Sequence, residues 1–251
     1  MTSKSNSYNA SYILVLSFIS ALGGYLFGFD FAVISGALPF LKDKFNLTEY
    51  WEGFATGSLA LGAMIGCVAA GKIADKKGRK PGLLIAASIF GISSLFMAFA
   101  PGRDFFIASR FVAGIGVGMA SMLSPMYIAE IAPAEYRGRM VAINQLTIVL
   151  GILITNLVNY SLRNNGDDAW RWMFGLGALP SLLFFIGVLW MPESPRWLAQ
   201  NGNSEKASNI LVKIGGIDFS NKTISEIQRS VSSVTKVKFS AIFEKMYCQQ
   251  Y

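Results

Sequence analysis

Two ionisable side chains stand where a chain normally avoids them. Asp30 lies in Gly28-Phe29-Asp30-Phe31-Ala32 and Arg110 in Ala108-Ser109-Arg110-Phe111-Val112, each inside an apolar run long enough to be a helix in lipid. Insertion scales put such a group at about +2.5–3.5 kcal/mol at the centre of a membrane helix, so it normally faces a partner or water and marks a functional position. Burial favours the neutral form of a carboxylate and a nearby cation favours the charged form. Moving a cation relative to Asp30 would make it take up or release H⁺, chemistry that couples proton movement to conformation. The other reading is a permanent buried ion pair that only fixes helix register.

A second set of residues is polar without charge. Gln145, Thr155, Asn156 and Asn159 recur near helical spacing along one apolar segment, with Asn144 beside them. Gln145 has both donors and acceptors, which suits a hydroxyl-bearing ligand. The asparagines read more simply as hydrogen bonds between helices, worth about 0.6–2 kcal/mol each.

The elements that must carry these residues follow from composition. The 251 residues are 53% hydrophobic and 15% charged, against about 45–50% and 25% in soluble domains, and mean hydropathy is +0.44. Apolar residues gather into six blocks at 12–38, 54–74, 81–100, 105–128, 140–160 and 172–191, each near the roughly 20 residues that cross the hydrocarbon. The expected fold is all-α, a bundle of six transmembrane helices. The first block is too long for the 7–15-residue core of a secretory signal. Asp30 falls about 8 residues, or ~12 Å, short of the outer end of its helix, and Arg110 about 5 residues, or ~8 Å, from the outer end of its own. The two therefore meet in depth if the first and fourth helices are neighbours.

The charges orient the bundle. Lys72, Lys76, Lys77, Arg79 and Lys80 crowd the loop between the second and third spans, and most of the 22 Lys and Arg fall in the flanks on that side. Positive flanks mark the cytoplasmic side, which places both termini in the cytoplasm. The net charge of +7 is thereby explained by topology, without nucleic acid as a partner. The absence of histidine excludes zinc sites built from His and Cys clusters, and Cys67 in an apolar block and Cys248 in a polar tail are ill placed for a disulfide. Gly114-Ile-Gly-Val-Gly118 lacks the strand that a nucleotide loop requires, so it reads, with Gly24, Gly28, Gly53, Gly57, Gly62 and Gly66, as close helix packing. Trp51, Trp170, Trp172, Trp190 and Trp197 sit at span ends as interfacial anchors. No nucleophile, base and orienting group assemble, which speaks against an enzyme.

Residues 192–251 form the remainder, expected as a small cytoplasmic helical domain leading toward a missing seventh span. Ala207, Ile210, Leu211 and Ile214 repeat at helical spacing between a Ser204 cap and a Gly215-Gly216 stop; Ile224, Ile227, Val231 and Val234 form a second such set, and Phe239, Ile242, Phe243 and Met246 a third.

Gly71-Lys-Ile-Ala-Asp75-Lys-Lys-Gly78-Arg79-Lys80 resembles the signature loop of the major facilitator superfamily. Gly28-Phe29-Asp30, the Arg110 to Gly118 segment, Glu130 with Arg137-Gly-Arg139, and Pro192-Glu193-Ser194-Pro195-Arg196 narrow the likeness to its sugar porters, above all the proton-linked bacterial carriers of pentoses or hexoses. The resemblance implies a major facilitator half of 3+3 inverted repeats in a plasma (inner) membrane, with Asp30 taking the proton and Arg110 tuning it. It implies sugar contacts from Phe27 and Gln145, and a cytoplasmic charge network of Asp75, Arg79, Glu130, Arg137, Arg139, Glu193 and Arg196. Ile152 stands where some proton-coupled members carry a second glutamine, which leaves the preferred sugar open. No cofactor is expected beyond the proton as coupling ion. The implied partners are a small sugar, the bilayer and a carboxy-terminal six-helix half, without which this chain is not expected to transport. A passive sugar uniporter, with Asp30 neutralised by Arg110, and a non-transporting membrane sensor are the other readings.

Overall fold

A computed structural model describes residues 8–233. Among these the regular elements are all α-helices: α1 Ala10–Phe45, α2 Glu49–Lys77, α3 Arg79–Ala98, α4 Arg103–Ile131, α5 Ala134–Leu162, α6 Ala169–Gly175, α7 Ala178–Trp190, α8 Pro195–Gln200 and α9 Ser204–Ser233. Among the described residues six helices are long and apolar enough to cross a membrane, α6 and α7 together counting as the sixth. Most run past the apolar blocks read from the sequence, because polar flanks continue the helix until a cap ends it. Asn9 starts α1 by accepting the Tyr12 N–H, and Asn46 ends it in the left-handed conformation.

The sixth span is broken, which its apolar pattern did not announce. Pro180 has no N–H to give the Leu176 carbonyl, so Leu179 N–H bonds it at 3.1 Å and Gly177 N–H bonds Phe174 at 3.0 Å, a tight turn in place of α-helix. Pro39 and Pro125 are absorbed within α1 and α4.

Helix partners reveal two related halves. α1 packs along α5 and α4 along α2, while α1 and α4 also meet; α3 lies on α4, and α7 on α1 and α3. Exchanging the first three spans for the second three turns the α1–α5 seam into the α4–α2 seam, as 3+3 repeats require. Backbones touch along both: a Cβ on Gly28 would strike the Ile148 carbonyl, and one on Gly118 the Ala63 carbonyl. Gly53 and Gly57, expected to pack closely, instead face open space.

α5 is polar inward and apolar outward. Its buried residues are Asn144, Thr147, Gly151, Thr155 and Asn159, whereas Leu146, Val149, Leu153 and Leu157 are exposed. Thr147 Oγ1–H donates to the Ala21 carbonyl at 2.7 Å and Asn159 Nδ2–H to that of Ala32 at 3.1 Å, the interhelical bonding expected of such residues.

The two ends differ. Around the far end of α1, Phe45, Phe106, Trp170 and Phe174 pack edge to face. Trp170 is fully buried there, an interior residue and not the interfacial anchor its position suggested; Trp172 and Trp190 are exposed. At the end bearing the Lys72–Lys80 loop, Ser194 caps α8 with Pro195 in its first turn, a short helix that the hydrophobic pattern missed. α9 bends at Gly215 and Gly216, where φ is +81° at Gly216 and the helix stop was expected. Asn9 N–H bonds the Ile214 carbonyl at 2.8 Å, and Tyr8 lies edge-on against both Phe219 and Tyr136. Val234, the set from Phe239 to Met246 and Cys248 lie outside the described residues.

Candidate functional site

Asp30 on α1 and Arg110 on α4 meet inside the bundle. Arg110 Nη2 lies 3.2 Å from Asp30 Oδ2, and both side chains are 1% exposed. The contact is electrostatic without being a well-aligned hydrogen bond, since both Asp30 oxygens and Arg110 Nε and Nη1 have no hydrogen-bond partner. Phe174, at the end of α6, sets its ring 5.7 Å from the guanidinium carbon. Phe29, next to Asp30, packs against Gly177 at the break in the sixth span. The pair is thus enclosed by α1, α4 and the turn between α6 and α7.

The residues expected to touch sugar lie apart from this pair. Phe27 is half-buried, Ile152 is half-buried where the Gly28 backbone crosses α5, and Gln145 is exposed. Gln145, Ile152 and exposed Asn156 share one face of α5, by their spacing of seven and four. Among the described residues no hydrogen bond or ion pair joins Phe27, Gln145 or Ile152 to Asp30 or Arg110.

The charged end holds a second cluster. Arg79 grips Glu130 with Nε–H to Oε2 at 2.9 Å and Nη2–H to Oε1 at 2.8 Å, and gives Nη1–H to the Ala74 carbonyl at 2.9 Å. Glu193 caps the start of α3, accepting the N–H groups of Arg79 at 2.9 Å, of Lys80 at 3.2 Å and of its neighbour Ser194 at 2.7 Å. Those donors and the Arg79 cation pull its carboxyl down, but burial outweighs them and holds it above the usual carboxylate range. Gly78 makes this possible: its φ is +99°, and any side chain there would occupy the Glu193 carboxylate. Lys80 Nζ–H donates to the Leu189 carbonyl at 2.7 Å, a cation on the last turn of α7.

The rest of the expected network is arranged differently. Asp75 is exposed and engages through its carbonyl, which accepts Trp197 Nε1–H at 3.0 Å. Arg137, Arg139 and Arg196 are exposed, and among the described residues none of the three forms a salt bridge. Arg137 and Arg196 line a hollow of about 680 Å³ together with Asp75, Arg79, Glu130 and Glu226; Arg139 lies outside it. Glu226, on α9, was not singled out from the sequence, where it stands among ordinary surface residues.

These features can be set beside known proteins. Residues 16–250 match the family model described as sugar (and other) transporter. The putative metabolite transport protein YwtG of Bacillus subtilis (strain 168) is 44% identical, over 86% of this chain and 47% of its own length. The D-xylose-proton symporter of Escherichia coli (strain K12) is 39% identical, over 89% of this chain and 52% of its own length. Among solved structures, the major facilitator proton:xylose symporter XylE bound to 6-bromo-6-deoxy-D-glucose superposes with a TM-score of 0.86 at 39% identity, covering 90% of this chain and 54% of that one. A partially occluded, inward-open form of the E. coli xylose transporter gives 0.84 at 38% identity, covering 88% and 59%. The chain spans about half the length of the curated relatives it matches. With six apolar spans, repeat-related seams and that match across nearly its whole length, the chain is a multi-pass membrane protein and belongs to the sugar (and other) transporter family, the sugar porters of the major facilitator superfamily.

Proposed function

We propose that this chain supplies the proton-binding half of a sugar symporter that carries a pentose or hexose by alternating access. The observation that carries the reading is the Asp30–Arg110 contact, a carboxylate and a guanidinium 3.2 Å apart and almost wholly enclosed at membrane depth. Protonation of Asp30 discharges the contact and frees Arg110; deprotonation restores it, so the helices that bear the two groups have a reason to move with the proton. Gln145 and Phe27 would meet the sugar from this side, and a companion six-helix half would complete the cavity. The relatives, about twice the matched length and named as proton symporters of xylose and of arabinose, support that division. The positive loop at residues 72–80 faces the cytoplasm in this reading, the membrane is the plasma membrane, and the coupling ion is H⁺ with no further cofactor.

The test is sugar uptake by the two-half transporter in sealed vesicles with and without a pH gradient. Uphill accumulation only with the gradient, lost in Asp30→Asn while sugar exchange persists, is the expected result. Equal accumulation in both conditions, or uptake unchanged by Asp30→Asn, overturns coupling and leaves a uniporter in which Arg110 keeps Asp30 permanently ionised.

A further inference from the structure

Protonating Asp30 leaves a buried cation behind. H⁺ adds to the carboxylate, the pair goes from no net charge to a single positive one, and that charge stays on Arg110, which does not give up its own proton. The Arg110 side chain is 1% exposed, and a buried cation without its counter-charge is costly unless something else favours it. No second anion is at hand. Among the described residues Asp30 and Arg110 are each the one charged group acting on the other. Of the helices around them, α7 carries no acidic or basic group, and those of α3 and α5 (Arg79 and Lys80; Glu135, Arg137 and Arg139) lie in the turns at the charged end. Glu52 of α2 is bound to Lys42, and Arg171 of α6 to Asp168 and to the Ala98 and Ala100 carbonyls.

What Arg110 does have beside it is a ring. Its guanidinium carbon lies over Phe174, 5.7 Å from the ring centre. The face of an aromatic ring attracts a cation within about 6 Å, and more strongly where water is excluded. Three other arginines lie over rings, Arg103 on Trp51, Arg163 on Tyr160 and Arg171 on Trp170, at 3.7, 4.1 and 4.3 Å. Arg110 stands farther from its ring than any of these, on the side of the carboxylate that draws it. The ring itself is held in place: Phe174 is 1% exposed and packs edge to face on Phe106, with centroids 5.1 Å apart. Phe106 precedes Arg110 by one turn on the same face of α4, so the ring is fixed relative to the cation. While Asp30 is ionised the ring meets a pair of no net charge. Once Asp30 is protonated it meets a full cation.

We infer that Phe174 is a positioning residue for the proton step: its ring holds the Arg110 guanidinium while Asp30 is protonated, and so favours the protonated state. The inference rests on the proposed proton coupling at Asp30.

The two-half transporter in sealed vesicles tests it. Uptake measured over a range of outside pH at fixed inside pH gives the pH at which gradient-driven transport is half-maximal. Phe174→Leu keeps most of the bulk and removes the ring, so the freed cation is less well held and Asp30 gives up its proton more readily. The midpoint should move about one unit to the acid side, a roughly tenfold weaker hold on H⁺, with the maximal rate within about twofold of the parent. Phenylalanine bearing one, two or three ring fluorines at position 174 keeps the shape while draining the negative face of the ring, and should move the midpoint acidward step by step. A midpoint that stays at the parent value in the leucine or the trifluorinated variant overturns the inference, as does a shift to the alkaline side. A lower maximal rate with an unmoved midpoint also overturns it, because packing alone would give that result. Should the leucine variant fail to fold, the fluorinated series decides. A parent that shows no gradient-driven uptake refutes the coupling itself, a separate result.

Discussion

Arg79 holds Glu130 by two parallel hydrogen bonds, at 2.9 and 2.8 Å, and so pins the start of α3 to the last turn of α4. Both side chains are 8% exposed, a setting in which removing one partner strands the other charge. We expect Glu130→Ala to cost about 3–5 kcal/mol and Arg79→Lys, which keeps the charge but loses the fork, about 1.5–3 kcal/mol. Thermal unfolding in detergent reads both. A lysine variant as stable as the parent would show that the fork geometry adds nothing to the charge.

Gly78 carries the turn that lets Glu193 reach the start of α3. Alanine there meets both a φ of +99° and the carboxylate itself. We expect Gly78→Ala to lose about 1–3 kcal/mol from the backbone alone, and more from the displaced cap. Asn fares no better, because φ +99° with ψ 173° is a combination open essentially to glycine alone; equal melting of the parent and Gly78→Asn would refute the explanation.

Glu193 sets a pH dependence with a definite sign. Its carboxyl is held above the ordinary range by burial, so the folded protein binds this proton more readily than the unfolded chain. Its contribution to stability is fully present at low pH and falls as pH rises from the ordinary carboxylate value to the raised one. Glu193→Gln keeps an acceptor for the Arg79 and Lys80 N–H groups without the titration. Melting curves between about pH 4 and pH 7 should lose that downward trend in the glutamine variant, and an identical slope in both proteins would refute the assignment.

The enclosed pair of Asp30 and Arg110 calls for a double-mutant cycle. Arg110→Met leaves a buried carboxylate without its cation and should cost about 3–5 kcal/mol when Asp30 is ionised. Adding Asp30→Asn removes the stranded charge, so the double variant should be more stable than the arginine variant alone. Strict additivity of the two changes would mean that the groups do not interact energetically despite their 3.2 Å approach.

Much of this was legible in the residues. Runs of about twenty apolar residues located all six spans, because lipid leaves a helix few alternatives. Depth along two antiparallel helices brought Asp30 level with Arg110. Helix ends were not legible, since polar flanks carry on the hydrogen-bond ladder beyond the apolar block, as in α2 from Glu49 to Lys77. The break at Leu176 and Gly177 was hidden because its cause is a proline, Pro180, and Pro39 and Pro125 sit inside unbroken helices. Gly78 and Glu193 were recognisable only as parts of motifs; that one lies over the other depends on folding residues 115 apart against each other.

The inverted polarity of α5 bears on how the protein is made. Thr147 and Asn159 find their acceptors on Ala21 and Ala32, in a helix synthesised more than a hundred residues earlier. The first span thus waits in the bilayer, its seam unmatched, while three others leave the ribosome, and the fifth has no complete set of mates until it reaches the first. Nascent chains halted before the fifth span should therefore be captured by membrane quality control, and those released after it should escape.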